Sequence, residues 1–571
     1  MKSILNFSVC ILTLLLFSNS ILAQKFIVKG QVTNEEKVPL AGVNVTVAGK
    51  TVSTSTGEKG EFSIQVDTLD KLKFSYIGMD NKTVDIKNRL YLNVVLKSIV
   101  GDLDEVIVIG YESVRRSDVT GSISKIKGSD LNKQQTTNIV SAMVGKAAGV
   151  YVRNTGNEPG GATSIKIRGL SSVNGTGEPL YVIDGIYSDD ISFLNPSDIS
   201  SIEILKDAAS TAIYGSRGAN GVVLITTNKP KTGQVNITYS NFFTVKSLAR
   251  HIQVVSAKEY ATLFYEMKAN RPDVISSSTE IIGFPQNNPN SWGDGYDFAK
   301  ESEQPWTLQN HSLKINFGKP ESSTAFAVNY VKDNGVFRNQ GYRRLNLKLD
   351  GMAKLSKAVE FGYSTIFTRS SYDLLWNSQF ASETIYGITP VTPIYDASGG
   401  YNFSNMFGAP NTFENPLARL SNVTDIDKRD ISLSDFYLNF TITPKLKFKA
   451  SLKYNYQLRD RLTYLPSTTL EGSLTSGQAV VRSDKSNEYT NNYILTYATT
   501  KNKHSFTFLG GLELSERVRD FITSGEVTQF NTDIYGPFNL SAGALSTGYN
   551  SSKLKESLVG FLGRINYKLN E

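Results

Sequence analysis

From Gln234 to Leu569 the chain alternates apolar and polar residues with a period of two, in long runs joined by connections of two kinds. The clearest runs are Leu345, Leu347 and Leu349; Phe436, Leu438, Phe440 and Ile442; Leu446, Phe448, Ala450, Leu452 and Tyr454; and Val559, Phe561, Gly563, Ile565, Tyr567 and Leu569. Polar residues stand between them, so each run predicts a strand with one apolar and one polar face. Short turns fall near Gly318-Lys319-Pro320, Ser356-Lys357, Pro444-Lys445 and Asn502-Lys503, and long loops near 248–305, 371–428, 458–487 and 517–555. Short turns at one end and long loops at the other mark an outer-membrane barrel, apolar outside and polar inside. A soluble sandwich fits poorly, because loops of roughly thirty to sixty residues at every second connection are uncommon in compact domains. Tyr330, Phe361, Phe367 and Tyr437 are candidates for an aromatic girdle, although ordinary wall or core positions would hold such residues equally well.

The N-terminus reads as a secretory signal peptide, with Lys2 as the positive flank, Val9 to Phe17 as the apolar core and Ala23 before the cleavage point. That core is too short to anchor comfortably in a bilayer, and no later segment has about eighteen consecutive apolar residues. An exported membrane protein without such helices spans as a closed barrel or not at all. The single cysteine, Cys10, lies inside the signal peptide, so the mature protein is expected to have neither a disulfide nor thiol chemistry. In 571 residues the 60 basic and 53 acidic side chains leave a net charge of +7, so charge by itself points to neither a nucleic-acid nor a lipid partner.

Between these ends the pattern changes twice. From Phe26 to about Lys97 short alternating runs (Val43, Val45, Val47; Phe62, Ile64, Val66; Leu72, Phe74, Tyr76) are separated by Thr33-Asn34-Glu35, Thr56-Gly57-Glu58 and Ile77-Gly78-Met79. Strands at this spacing predict a small β-sandwich. A hinge over 98–120 then carries one apolar β-branched cluster, Asp104-Glu105-Val106-Ile107-Val108-Ile109-Gly110-Tyr111, followed by Arg115 and Arg116. Such a run is able to add as an edge strand to a partner's sheet, or to serve as an ordinary strand of its own domain. Next come Ile167-Arg168-Gly169, Tyr181-Val182-Ile183-Asp184-Gly185, Ile202-Glu203-Ile204-Leu205-Lys206-Asp207 and Tyr214-Gly215-Ser216-Arg217-Gly218-Ala219-Asn220-Gly221. Asp207 is placed to N-cap a short helix, Ala208 to Tyr214, with Gly215 at its left-handed end. Gly218 and Gly221 then lead into a strand, Val222 to Thr226.

Those four blocks, in that order, resemble the plug domain of TonB-dependent outer-membrane transporters of the SusC/RagA-like branch. The sandwich resembles the carboxypeptidase-regulatory-like domain at the N-terminus of many such transporters, and Asp104 to Tyr111 resembles their TonB box. The resemblance implies energy-coupled import of nutrients, by default oligosaccharides, with peptides as the other class. It implies TonB and its inner-membrane energy-transducing complex below, outer-membrane lipid around, and a SusD-like surface lipoprotein above. The sandwich and box are then expected in the periplasm. Arg168, Asp184, Glu203, Asp207 and Arg217, inside a polar lumen, are expected either to fix the plug by ion pairs or to be reset when it is pulled. Two other readings are a signal-transducing receptor, which would carry an additional α/β domain before the box, and a surface β-protein without transport, which would not need box and plug in this order.

Catalytic chemistry is not expected. Ala48-Gly49-Lys50-Thr51 ends like a phosphate loop, but Asn44 replaces the required glycine and the context is strand to strand. The Gly215/Gly218/Gly221 cluster follows a helix and precedes a strand, the reverse of a dinucleotide fingerprint. His251, His311 and His504 are far apart, so neither a metal nor a histidine-activated nucleophile is expected. No cofactor is implied. The expected fold class is mainly β: a signal peptide (1–23), a β-sandwich (24–98), a linker with the box (99–120), an α+β plug (121–232) and an incomplete antiparallel transmembrane barrel (233–571). Incompleteness is an expectation from strand number, since roughly ten strands fit where plugged transporters close about twenty-two. A lumen of ten strands would hardly house the plug, so the chain is expected to be an N-terminal fragment or interrupted reading frame.

Overall fold

The computed structural model describes residues 26–569 except 35–37, 68–69, 77–78, 87–88, 97–105, 110–111, 116–122, 135, 155–157, 162, 170–176, 231–232, 271–288, 320, 376–383 and 403–413. The signal peptide and Asp104, Glu105, Gly110 and Tyr111 lie outside the described residues. The chain forms two compact units, whose boundary falls within 107–121.

The first unit is the sandwich. Its strands are β1 (Phe26–Thr33), β2 (Asn44–Val47), β3 (Ser53–Ser55), β4 (Glu61–Val66), β5 (Lys71–Ser75), β6 (Lys82–Asp85) and β7 (Tyr91–Val95). They make two sheets, ordered β4-β1-β7 and β3-β2-β5-β6, with β1 and β7 parallel. The alternation read from sequence is the burial pattern: Val43, Val45, Val47, Phe62, Ile64, Val66, Leu72 and Phe74 all point into one core. Phe62 and Phe74 meet edge to face there, with ring centroids 5.3 Å apart. After the sandwich, β8 (Val106–Ile109) pairs with β9 (Glu112–Arg115) as a two-stranded ribbon.

The second unit contains the plug and the wall. Plug strands are β10 (Ile123–Lys127), β11 (Val150–Asn154), β12 (Thr163–Ile167), β13 (Leu180–Ile183), β14 (Ile186–Ser188), β15 (Ile199–Leu205) and β16 (Val222–Thr227). Five of them form a mixed sheet, β10-β15-β16-β13-β14, and β11 pairs with β12 in a separate ribbon. β16 opens on the apolar run Val222–Ile225 and β15 is buried at every position except Ser200, which fits strands inside that sheet covered on both faces.

The wall follows: β17 (Gly233–Lys246), β18 (Trp306–Lys319), β19 (Ser322–Asn334), β20 (Gly341–Lys354), β21 (Val359–Asp373), β22 (Thr424–Thr443), β23 (Leu446–Leu465), β24 (Gln478–Lys501), β25 (His504–Thr523), the short β26 (Glu526–Phe530) and β27 (Gly543–Thr547), and β28 (Asn550–Leu569). Ten long antiparallel strands pair in chain order from β17 to β28, which form the two margins of the sheet. Apolar residues face outward, with Phe561 83% and Ile565 70% exposed. Charged residues face inward and are buried, among them Arg344, Lys348, Asp350, Asp425, Asp427 and Lys453. This is the polarity of a wall between lipid and a polar lumen, the inverse of a soluble core. No helix among the described residues is long and apolar enough to cross a membrane.

Three expectations change. The loop expected over 458–487 is mostly strand, because β23 continues to Leu465 and β24 begins at Gln478. Similarly, β25 continues to Thr523 and β28 begins at Asn550, shortening the loop expected over 517–555. At these ends charged residues occupy both faces (Arg459, Asp460 and Arg461; Arg482, Asp484 and Lys485), so apolar alternation vanishes although the backbone ladder continues. Tyr437 is inward-facing, opposite in direction to the 43%-exposed Phe436, and its ring covers the Cβ-less face of Gly362 on β21. It is therefore not a girdle residue, whereas Tyr330 points outward.

Candidate functional site

The plug and the wall meet through inward side chains of the wall and backbone of the plug. On β20 the residues between the outward leucines are Arg344, Asn346, Lys348 and Asp350, all on the lumen face. Arg344 Nη1 lies 3.0–3.3 Å from the carbonyls of Thr137, Ser192 and Leu194, and Asn346 donates to the Phe193 carbonyl at 2.7 Å. Lys348 donates to the Asn228 carbonyl at 2.9 Å. From β18, Lys314 donates to the Ser197 carbonyl and pairs with Asp198 at 3.0 Å. From β23, Lys453 donates to the Gly185 carbonyl at 2.7 Å and Asn455 to the Tyr187 carbonyl at 2.8 Å. Carbonyls of plug loops and of the edge strand β14 are thus met by donors of the wall, which removes a large desolvation cost. Apolar contact runs beside them: Ile366, Ile431 and Leu433 of the wall belong to the main hydrophobic cluster of the plug.

Asp189 of the plug pairs with Arg517 and, at 3.6 Å, with Arg519 of the wall, and two further charged joints add to the contact. Asp184 sits in the β13–β14 turn with φ +48°, followed by Gly185 at +84°. Its carboxylate accepts from the Thr227 amide at 3.1 Å, the Thr227 hydroxyl at 2.5 Å and Lys229 at 3.1 Å. Lys229 reaches on to Asp350 of the wall at 3.6 Å, and Asp350 also accepts from Ser364 at 2.6 Å and from Lys348. Burial alone would raise the pKa of Asp184, but the charges of Lys229 and Lys348 and the Thr227 hydrogen bonds outweigh it, so the group titrates below the usual carboxylate range. The second joint is Arg217, which pairs with Glu513 at 2.8 Å and Glu488 at 3.7 Å and lies over the Tyr187 ring at 3.9 Å. Tyr187 itself donates to Glu513 at 3.0 Å.

The remaining plug residues singled out in the sequence divide differently. Glu203 is buried beside Lys125 at 3.8 Å, within the plug sheet. Asp207 caps the helix Ala208–Thr211, accepting from the Ser210 amide at 2.8 Å. That α-helix is shorter than expected and passes into a 3₁₀ turn, Ala212–Gly218. Within it Gly215 has φ +58° and ψ −147°, a conformation open to glycine but not the left-handed helical one expected. Tyr214 is buried in the second plug cluster, and an added Cβ at Gly218 would press on the Thr211 carbonyl and at Gly221 on Ile167. Arg168 is exposed at φ +56°, with Gly169 behind it at +101°, so Arg168 turns the chain at the end of β12. Of the five charged residues, then, Asp184 and Arg217 connect with the wall. Sequence reasoning missed their partners. The outward alternation of Leu345, Leu347 and Leu349 already marked Arg344, Asn346, Lys348 and Asp350 as lumen-facing, and that signal was sufficient to find them. Among the described residues no group of three or more histidine, cysteine or carboxylate side chains is placed to hold a metal ion.

A carboxypeptidase-regulatory-like domain model matches residues 28–108 and a TonB-dependent receptor plug domain model matches residues 115–222. TonB-dependent receptor P26 of Formosa agariphila is 31% identical over 95% of this chain and 54% of its own length. TonB-dependent receptor SusC of Bacteroides thetaiotaomicron is 28% identical over 96% of this chain and 55% of its own. The chain spans about half the length of the curated relatives it matches. In fold it is similar to the RagAB peptide importer in its open-open state, with a TM-score of 0.69 at 20% identity over 82% of this chain and 55% of that one. Domain models, relatives and fold agree, and the chain is a SusC/RagA-like relative of the TonB-dependent transporters of outer membranes.

Proposed function

We propose that the chain serves energy-coupled import of nutrient oligomers across an outer membrane, with TonB pulling from the periplasm on the segment Asp104–Tyr111. The observation that carries this reading is a plug held to an inverted-polarity wall by many individually modest polar contacts. Such contacts fix the plug at rest, and a directed pull has to break them only a few at a time. The β8–β9 ribbon supports the coupling role, because each of its two strands keeps one edge for main-chain pairing with a partner. The sandwich and ribbon then lie in the periplasm, and a SusD-like lipoprotein covers the extracellular loops. The default cargo is an oligosaccharide.

Replacing Val106 with proline removes a backbone donor from any strand added there. With the protein expressed in its native host beside its natural partners, Val106→Pro should abolish TonB-dependent uptake of radiolabelled substrate while outer-membrane insertion persists. Uptake equal to that of the unmodified protein would refute the coupling assignment.

A further inference from the structure

Above the plug contacts, three neighbouring wall strands carry arginines on the lumen face in an arrangement that needs a reason. In the β22–β23 register Arg429 stands directly opposite Arg459, and in the β23–β24 register Arg461 stands directly opposite Arg482. Like charges facing each other across strands are destabilising unless something compensates. Part of the compensation lies beneath them. Asp427 accepts from Arg429 at 2.9 Å and from Arg459 at 2.8 Å, and Asp425 accepts from Arg461 at 2.8 Å through both oxygens. Arg429 also lies over the Tyr372 ring, 4.5 Å from its centroid. The two carboxylates are sealed away, with side chains 0% and 1% exposed, whereas the side chains of Arg429, Arg459 and Arg461 remain 30%, 44% and 30% exposed. Arg482 is exposed, and no ion pair involves it among the described residues. Asp484 stands opposite Arg459 in register, and Asp190 of the plug is close enough to Arg429 to act on its charge.

The layering matters more than the sum of charges. Buried aspartates hold planar guanidiniums in fixed orientations and leave their other surface to the lumen. A guanidinium fork held this way matches a carboxylate in two parallel hydrogen bonds, and its ordering entropy is already spent in the fold. We propose that Arg429, Arg459, Arg461 and Arg482 form a cargo subsite in the lumen that recognises carboxylate groups on the imported oligomer. This rests on the import reading and narrows its cargo to an acidic oligomer, either a uronate-bearing oligosaccharide or an acidic peptide.

The test is equilibrium binding to the protein purified from outer membranes in detergent, without TonB. Four probes are used: an oligogalacturonate, its neutral methyl-ester counterpart, a glutamate-rich peptide and its glutamine counterpart. One acidic probe should bind more tightly than its neutral partner, and should weaken as salt rises. Arg482→Gln and Arg459→Gln should each weaken that probe about tenfold, roughly the loss of one charge-assisted hydrogen bond, and leave the neutral probe unchanged. Both variants keep the fold testable, because Arg482 has no acidic partner to abandon and Asp427 retains Arg429. Preference for the sugar or for the peptide identifies the carrier of the carboxylate. Equal affinity for acidic and neutral probes, or unchanged affinity in both variants, overturns the subsite. A preserved charge preference in a protein that shows no TonB-dependent uptake would instead overturn the import reading and leave the subsite standing.

Discussion

The sandwich and the plug are both small β-rich domains, yet they solve the problem of their interiors in opposite ways. All the apolar residues of the sandwich core come from the sandwich itself, and Thr56 is its only buried polar side chain among the described residues. Thr56 is satisfied locally, donating to the Leu40 carbonyl and accepting from the Val43 amide. The plug borrows Ile366, Ile431 and Leu433 from the wall and leaves the carbonyls of Thr137, Ser192, Phe193 and Asn228 to wall donors. A core closed on its own residues gives a domain that stands alone. A core completed by another element gives one whose order depends on that element, which suits a part that has to be held and then moved.

The strongest way to break this comparison is to separate the parts. Residues 24–98 expressed alone should unfold in one cooperative thermal transition by circular dichroism, and residues 121–232 alone should show none. A cooperative transition in the isolated plug would show that the wall contacts are incidental to its order.

The next effect is confined to one side of the comparison. Phe74 is fully buried against Phe62, and Phe74→Ala should lower the stability of the sandwich by about 3–5 kcal/mol, the usual cost of emptying an aromatic core position. Denaturant melts of the isolated sandwich measure that loss. Protease resistance of the plug in the whole protein should not change.

A smaller effect belongs to the joint. Gly185 has φ +84°, and a Cβ there would lie 2.3 Å from Lys453 Nζ. Gly185→Ala combines backbone strain with displacement of the lysine from its carbonyl, and should destabilise the plug–wall contact by about 1–3 kcal/mol. Faster amide exchange in β13 and β14, with β20 and β21 unchanged, is the expected readout.

How much of this was legible in the sequence depends on which force set each feature. Alternation showed the sandwich core and the wall strands because one-sided burial imposes a period of two. It stopped being legible at Arg459–Arg461 and Arg482–Lys485, where both faces of a strand are charged and only backbone pairing continues. Asp207 was readable as a cap because its partner is three residues away, the amide of Ser210. Glu513, the partner of Arg217, is 296 residues distant and has no local signature. The sequence order of motifs identified the plug, but Arg168 shows the limit of that reading. It lies in one of the blocks that define the plug, yet its place in the structure is an exposed turn with positive φ.

The smallest expected effect is a pH dependence that only the plug joint should show. Asp184 titrates below the ordinary carboxylate range because Lys229, Lys348 and Thr227 favour its charged form over the cost of burial. A depressed folded-state value means that the stabilisation is fully present above the unfolded value, near pH 4, and is lost as pH falls through the folded one. Nothing should therefore change between neutral pH and about pH 5, and the joint should loosen only in more acidic solution. The Thr227 amide, which donates to the Asp184 carboxylate, is the direct probe. Its protection from exchange, corrected for the intrinsic rate, should stay flat to about pH 4 and then fall. In Asp184→Asn protection should be lower at neutral pH and show no acid step, since the titrating group is gone. Amides of the sandwich core strands, whose core contains no carboxylate, should show no such step in either protein. An acid step at Thr227 that persists in Asp184→Asn would place the titration elsewhere and remove the charge joint from the account of how the plug is held.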